Sequence, residues 1–140
     1  MKEFGEKIKG ARYFVRPGSY GVFIKAYCVG VIKSDVFGKY FLVGGGINKG
    51  ETEIEALRRE AREEIGFEIE ILTKIGAAAD YFYAALDQKY IAKVCHFYRI
   101  ELAGKIEGTV CERLVWMTGD ELENMYHESH RWIAARELRL

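Results

Sequence analysis

The sequence predicts an α+β domain: an α/β/α sandwich with a mixed central sheet covered by helices on both sides. Three observations carry that reading. Several stretches alternate apolar and polar residues with a period of two, as half-buried strands do. One segment, Glu53 to Ile65, has helical periodicity and signals at both ends. A second amphipathic segment, from about Ser129, carries Trp132, Ile133 and Leu138 for covering a sheet. Strands interleaved with a few helices form a mixed sheet with both faces covered. A chain of 140 residues, 49% hydrophobic, has enough apolar material for one core, so residues 1–140 are read as a single domain.

In order along the chain, residues 1–18 mix Lys7, Lys9, Arg12 and Arg16 with Phe4, Ile8, Tyr13, Phe14 and Val15. This predicts a short edge strand ending at Pro17-Gly18, its cations either guarding the edge or meeting an anionic ligand. Tyr20 to Ile32 is nearly continuous in apolar residues, as a central strand is. Ser34 to Gly38 reads as a turn leading back into Tyr40 to Val43, a hairpin. Gly44-Gly45-Gly46 then lets the backbone leave the strand through permissive residues. Beyond the helix, Phe67, Ile69, Ile71, Thr73 and Ile75 alternate with charged residues, and Gly76 with three alanines marks a bend. A further strand runs from Asp80 to Leu86, and Asp87-Gln88-Lys89 turns the chain. Between Lys93 and Leu102, Val94, His96, Tyr98, Ile100 and Leu102 take one face, Cys95 and Phe97 the other. Gly104 to Gly108 is a polar loop, Leu114-Val115-Trp116 a short strand, and Thr118 starts a helix with Glu121 at capping-box spacing.

The helix from Glu53 to Ile65 is the most informative stretch. Thr52 suits the N-cap, Glu55 completes a capping box, and Gly66 suits a left-handed C-terminal cap. Ile54, Leu57, Ala61 and Ile65 form an apolar stripe, while Glu55, Arg58 and Arg62 point to solvent. Glu60, Glu63 and Glu64 share a third face. Like charges at that spacing repel by a few tenths of a kcal/mol per pair, on the order measured in isolated helices. The helix dipole disfavours anions near its C-terminus as well. A hard divalent cation removes the conflict, since carboxylate oxygens suit magnesium, which also takes phosphate oxygens as ligands.

Gly45, Glu51, Arg59, Glu60, Glu63, Glu64 and Gly66, with Ala61 and Phe67 in apolar slots, match every fixed position of G-x5-E-x7-R-E-U-x-E-E-x-G-U. On these residues the chain resembles the Nudix hydrolase family. The resemblance implies the Nudix fold and Mg2+- or Mn2+-dependent hydrolysis of a pyrophosphate linkage in a nucleoside diphosphate derivative. It assigns metal binding to Glu60 and Glu64, metal binding or water activation to Glu63, and a further ligand to the Gly45 carbonyl. Arg59 would hold Glu60, and Glu51 would support the loop and helix start. Many members have Pro where this chain has Val43 and Glu where it has Asn48, which bears on substrate subclass. ADP-ribose hydrolases of the family often carry a Pro beyond the box, and the dinucleoside polyphosphate group often a Tyr. Here the region reads Asp80-Tyr81-Phe82-Tyr83, so the resemblance points to a nucleoside triphosphate or dinucleoside polyphosphate. The alternative is a non-catalytic Nudix-fold nucleotide-binding or sensor module. Isopentenyl diphosphate isomerase shares the architecture, but no convincing Cys and Glu pair stands out here.

Other residues have two readings each. Glu112 is a distal carboxylate that would serve as general base in place of Glu63, or a surface Glu with Glu107 as competitor. Tyr81 and Tyr83 share a strand face, where they stack on a base or on the sheet. His96 reads as a satisfied core residue, and His127 and His130 lack a third ligand for zinc. The formal net charge of zero argues for a small nucleotide and against a nucleic-acid polymer or an anionic membrane. Cys28, Cys95 and Cys111 follow no ligand spacing, and MKEFGEKIKG has no apolar signal region, so reduced thiols in a cytoplasm are expected. A homodimer is compatible with all of this.

Overall fold

Residues 1–35, 38–108 and 113–139 are described by the structure, a computed structural model. The strands are β1 (Lys2–Phe4), β2 (Tyr13–Val22), β3 (Ile24–Lys25), β4 (Cys28–Lys33), β5 (Tyr40–Gly46), β6 (Phe67–Ala84), β7 (Lys89–Lys105) and β8 (Leu114–Met117). Helix α1 spans Glu53–Ile65, a 3-10 helix Gly119–Asn124, and α2 Glu128–Glu137. The sheet order is β1-β6-β7-β2-β5-β4-β3, with β8 alongside β4. β1 with β6 and β2 with β7 run parallel, and the other pairs antiparallel, so the sheet is mixed as expected.

Because strand neighbours point to opposite faces, adjacent residues separate into two cores. Val31, Leu42 and Phe97 join Ile133 and Ala134 of α2 and Leu122 of the 3-10 helix. Ile32, Val43 and Tyr98 join Leu57, Ala61 and Ile65 of α1. Helices therefore cover both faces of the sheet. α1 has the predicted bounds, capping box and left-handed Gly66 (φ 67°). Only its stripe differs: Ile54 is exposed, and Ala56 is buried in its place.

The strands depart from expectation in four places. The edge strand is β1, whereas Pro17-Gly18 lies inside β2, a central strand between β7 and β5. Pro17 is tolerated there because pairing with β5 begins one residue later, at Gly18. The apolar run from Tyr20 to Ile32 is not one strand. It breaks at Phe23 between β2 and β3, and β3 returns as β4 through a two-residue turn with Ala26 and Tyr27 at φ 50° and 63°. The three glycines belong to β5. Phe67 to Ala84 is a single strand whose bend is taken up by register shifts, the last between Lys74 and Gly76. The hairpin into β5 forms as predicted, with Ser34 N–H donating to the Lys39 carbonyl at 2.8 Å.

Candidate active site

β5 pairs with β4 through Tyr40–Leu42 and with β2 through Val43–Gly46, so it bridges the two halves of the sheet. α1 lies against its second half and brings acids onto bare backbone. Gly44 N–H donates to Glu64 Oε1 at 2.8 Å. A side chain at Gly45 would place its Cβ 2.6 Å from the Glu60 carboxyl, so the missing methyl is what gives that carboxyl its room.

Arg59 organises the rest. Its Nε and Nη2 donate to both oxygens of Glu51 at 2.7 and 3.0 Å, a bidentate pair. Nη1 reaches Glu60 at 3.0 Å and Glu63 at 3.4 Å, and Nη2 also donates to the Gly46 carbonyl. Glu51 in turn accepts from Asn48 N–H at 2.8 Å, closing the loop onto the helix start. Even so, burial pushes Glu60 above the usual carboxylate range, against Arg59. Glu64 is pushed up to about 8, mainly by burial and further by Glu60, against the Gly44 hydrogen bond. Two neighbouring acids that resist ionisation mark a place that favours added positive charge.

Glu60, Glu63, Glu64 and the Gly45 carbonyl are all oxygen donors, the chemistry that a hard divalent cation takes. Among the described residues, no three acids, histidines or cysteines already converge at ligand spacing. Glu64 is turned onto Gly44 and Glu60 onto Arg59, so each of these carboxylates is held by a partner within the protein.

Beside the acids is a recess lined by Glu64, Gly44, Arg113, Tyr20 and Phe41. Tyr20 and Phe41 also line a larger cavity of about 500 Å³ with Arg16, Phe82, Lys93 and His127. That volume suits a small ligand. The walls are aromatic: Phe41 lies 5.4 Å from Tyr126 and 5.5 Å from His127, centroid to centroid. Burial and the nearby Lys93 charge hold the His127 pKa down at about 4, so the ring is neutral at physiological pH. His130 is fully buried and accepts from Leu42 N–H through Nδ1 at 3.2 Å, tying α2 to β5.

A family model described as NUDIX domain matches residues 27–138. The chain belongs to the Nudix hydrolase family. A relative named nucleoside triphosphatase NudI, from Enterobacter sp. (strain 638), is 59% identical over 34 residues. That match spans 24% of this chain and 24% of the relative's own length. Among solved structures, a MutT NUDIX hydrolase from Burkholderia pseudomallei is 22% identical with a TM-score of 0.63, covering 88% of this chain and 97% of that one. An ADP-ribose pyrophosphatase from Streptococcus suis is 14% identical with a TM-score of 0.60, covering 89% and 92%. At these identities the likeness is one of fold.

Within this Nudix fold the predicted residues fall into two groups. Gly45, Arg59, Glu60, Glu63 and Glu64 come together. Tyr83 and Arg16 line the aromatic cavity, Arg16 pairing with Asp87 at 3.3 Å. Tyr81 does not line it. Its ring is edge-on to Tyr13 at 5.2 Å and under the Lys7 ammonium at 4.6 Å, so it anchors the residues after β1. Glu112 and Cys111 lie outside the described residues. His96 is not a plain core residue: Lys74 Nζ is 3.1 Å from its Nδ1, beside Glu53. Nothing in the sequence groups Tyr20, Phe41, Lys93, Tyr126 and His127, because separate elements supply them and no local spacing links them.

Proposed function

We propose that this domain, residues 1–140, is a Mg2+- or Mn2+-dependent hydrolase of the pyrophosphate linkage in a nucleoside diphosphate derivative, a nucleoside triphosphate or dinucleoside polyphosphate being favoured. One observation carries the reading: the acidic face of α1 and the aromatic cavity meet at the shared rings of Tyr20 and Phe41. A base held among those rings leaves its phosphates directed toward Glu60 and Glu64. The relative named as a nucleoside triphosphatase supports a triphosphate.

Glu60, Glu64 and the Gly45 carbonyl would hold the cation, with Glu63 beside them. When bound, a divalent cation neutralises phosphate charge and lowers the pKa of water. Arg59 keeps Glu60 oriented and Glu51 keeps Arg59 oriented. In the reaction a water oxygen bonds to phosphorus, the bridging phosphorus–oxygen bond breaks, and the leaving phosphate carries the bridging oxygen away. The water proton passes to a carboxylate, either Glu63, the most exposed of the three with its side chain 59% accessible, or Glu112. Neutral net charge fits a small ligand held locally in a cytoplasm rich in nucleotides.

The test is hydrolysis of nucleoside triphosphates, diadenosine polyphosphates and ADP-ribose in ¹⁸O-water with Mg2+ or Mn2+, the labelled phosphorus being located by NMR. Wild type should label one phosphate per turnover, and Glu60→Gln should fall by at least about a hundredfold. Binding without turnover on every substrate and with either cation would replace the hydrolase reading with that of a nucleotide-binding module.

A further inference from the structure

Lys93 is the cation of this cavity that has no ion pair among the described residues: Asp80, its partner in the antiparallel ladder with β6, feels its charge but is not at ion-pair distance. Lys93 stands on β7 directly opposite Arg16 in the parallel ladder with β2, and both line the cavity. Like charges opposed across strands repel. Arg16 is balanced by Asp87 at 3.3 Å. Among the described residues Lys93 has no carboxylate at ion-pair distance, and its ammonium instead lies 5.3 Å from the centroid of the Tyr20 ring.

Gly18 shows where that ammonium points. A Cβ there would lie 3.3 Å from Lys93 Nζ, 3.2 Å from the Gly45 carbonyl oxygen and 2.8 Å from the Tyr20 ring. The absent side chain at Gly18 therefore lets Lys93 Nζ, the Tyr20 ring and the Gly45 carbonyl close on one point, where the aromatic cavity meets the backbone beneath Glu60. An ammonium without an ion pair, on the wall of an aromatic cavity that shares Tyr20 with the acidic recess, suits a multiply charged anion that spans both.

We propose that Lys93 is the residue that positions the phosphate chain, holding a ligand with at least two phosphates between the aromatic cavity and the acidic face of α1. This rests on the nucleotide reading of the site and narrows it, since the contact is to phosphate and not to base. The role proposed for Lys93 is to bind phosphate, so its effect is on binding.

Calorimetry with adenosine, AMP and α,β-methylene-ATP, and their guanine counterparts, in millimolar Mg2+ tests it on wild type, Lys93→Met and Lys93→Arg. Met keeps the packing over Tyr20 and removes the charge, whereas Arg keeps the charge. For Lys93→Met the expected result is a Kd about ten- to a hundredfold higher for the triphosphate analogue, the worth of one charge-assisted hydrogen bond. Adenosine or guanosine binding stays within about twofold, and Lys93→Arg recovers most of the loss. In turnover, KM rises while kcat holds. The proposal is overturned if nucleoside and triphosphate weaken together, if Arg is as poor as Met, or if Met changes nothing. Wild type that binds no nucleotide would overturn the nucleotide reading itself, whereas phosphate-dependent binding unchanged in Lys93→Met would overturn the Lys93 assignment alone.

Discussion

A methyl group added at Gly45 would press into the Glu60 carboxyl from 2.6 Å, on backbone without a left-handed φ. Gly45→Ala therefore separates cation binding from folding. The expected outcome is a melting temperature within a few degrees of wild type and a Mg2+ affinity at least about tenfold weaker, since one displaced ligand costs more than about 1.4 kcal/mol. Unchanged Mg2+ affinity would remove Glu60 from the cation site. Glu64 gives a pH test. Its folded pKa, about 8, lies above the ordinary carboxylate value of 4.5. Between those values the folded protein keeps a proton that the unfolded chain has released, so this group's contribution to stability falls as pH rises through the window. Without cation, Glu64→Gln should be more stable than wild type at pH 8 by on the order of a few kcal/mol, and the difference should close toward pH 4.5. Mg2+ should narrow the gap, because a ligand at one hundred times its Kd adds about 2.7 kcal/mol to the protein that binds it. A pH-independent difference between the two melting curves would show that burial does not perturb Glu64. The acids were legible in the sequence because their mutual repulsion is written into three nearby positions. Lys93 and His127 were not, since nothing local marks a residue whose partner is a cavity.

α1 could be read almost to the residue, and the reason is that its determinants are all local: Thr52 and Glu55 cap one end and Gly66 the other. The β3–β4 hairpin is invisible in the sequence for the complementary reason. Ala26 and Tyr27 both adopt positive φ, in a two-residue loop flanked by the Lys25–Cys28 pair, yet neither is a residue that favours such a turn. Tertiary pairing of β4 with β5 and β8 holds the loop against its own preference. Replacing Ala26-Tyr27 by Asn-Gly should remove that strain and raise stability by about 1 kcal/mol, read as a higher denaturant midpoint with an unchanged slope. An equal or lower midpoint would mean that Tyr27, 89% exposed, contributes something beyond the turn. In the sequence β6 looks like two strands because Gly76 and its alanines resemble a break, whereas the register shifts let one strand continue.

On the scale of the molecule, the class of fold was visible from strands and helices alternating along the chain, but the cavity was not. Its walls come from β2, β5, β6, β7 and the residues just before α2. α2 is fixed from outside itself: buried Asp80 of β6 accepts from Ser129 N–H at 3.1 Å in place of a cap of its own, and His130 reaches Leu42 across a separation of 88 residues. That separation has a consequence in time. A ribosome delivers α1 and all of its carboxylates well before the histidines and Tyr126 that close the opposite wall. A nascent chain thus completes its acidic face while the space for a nucleotide is still open on one side. The cavity is therefore completed last, by residues that docking of α2 holds in place.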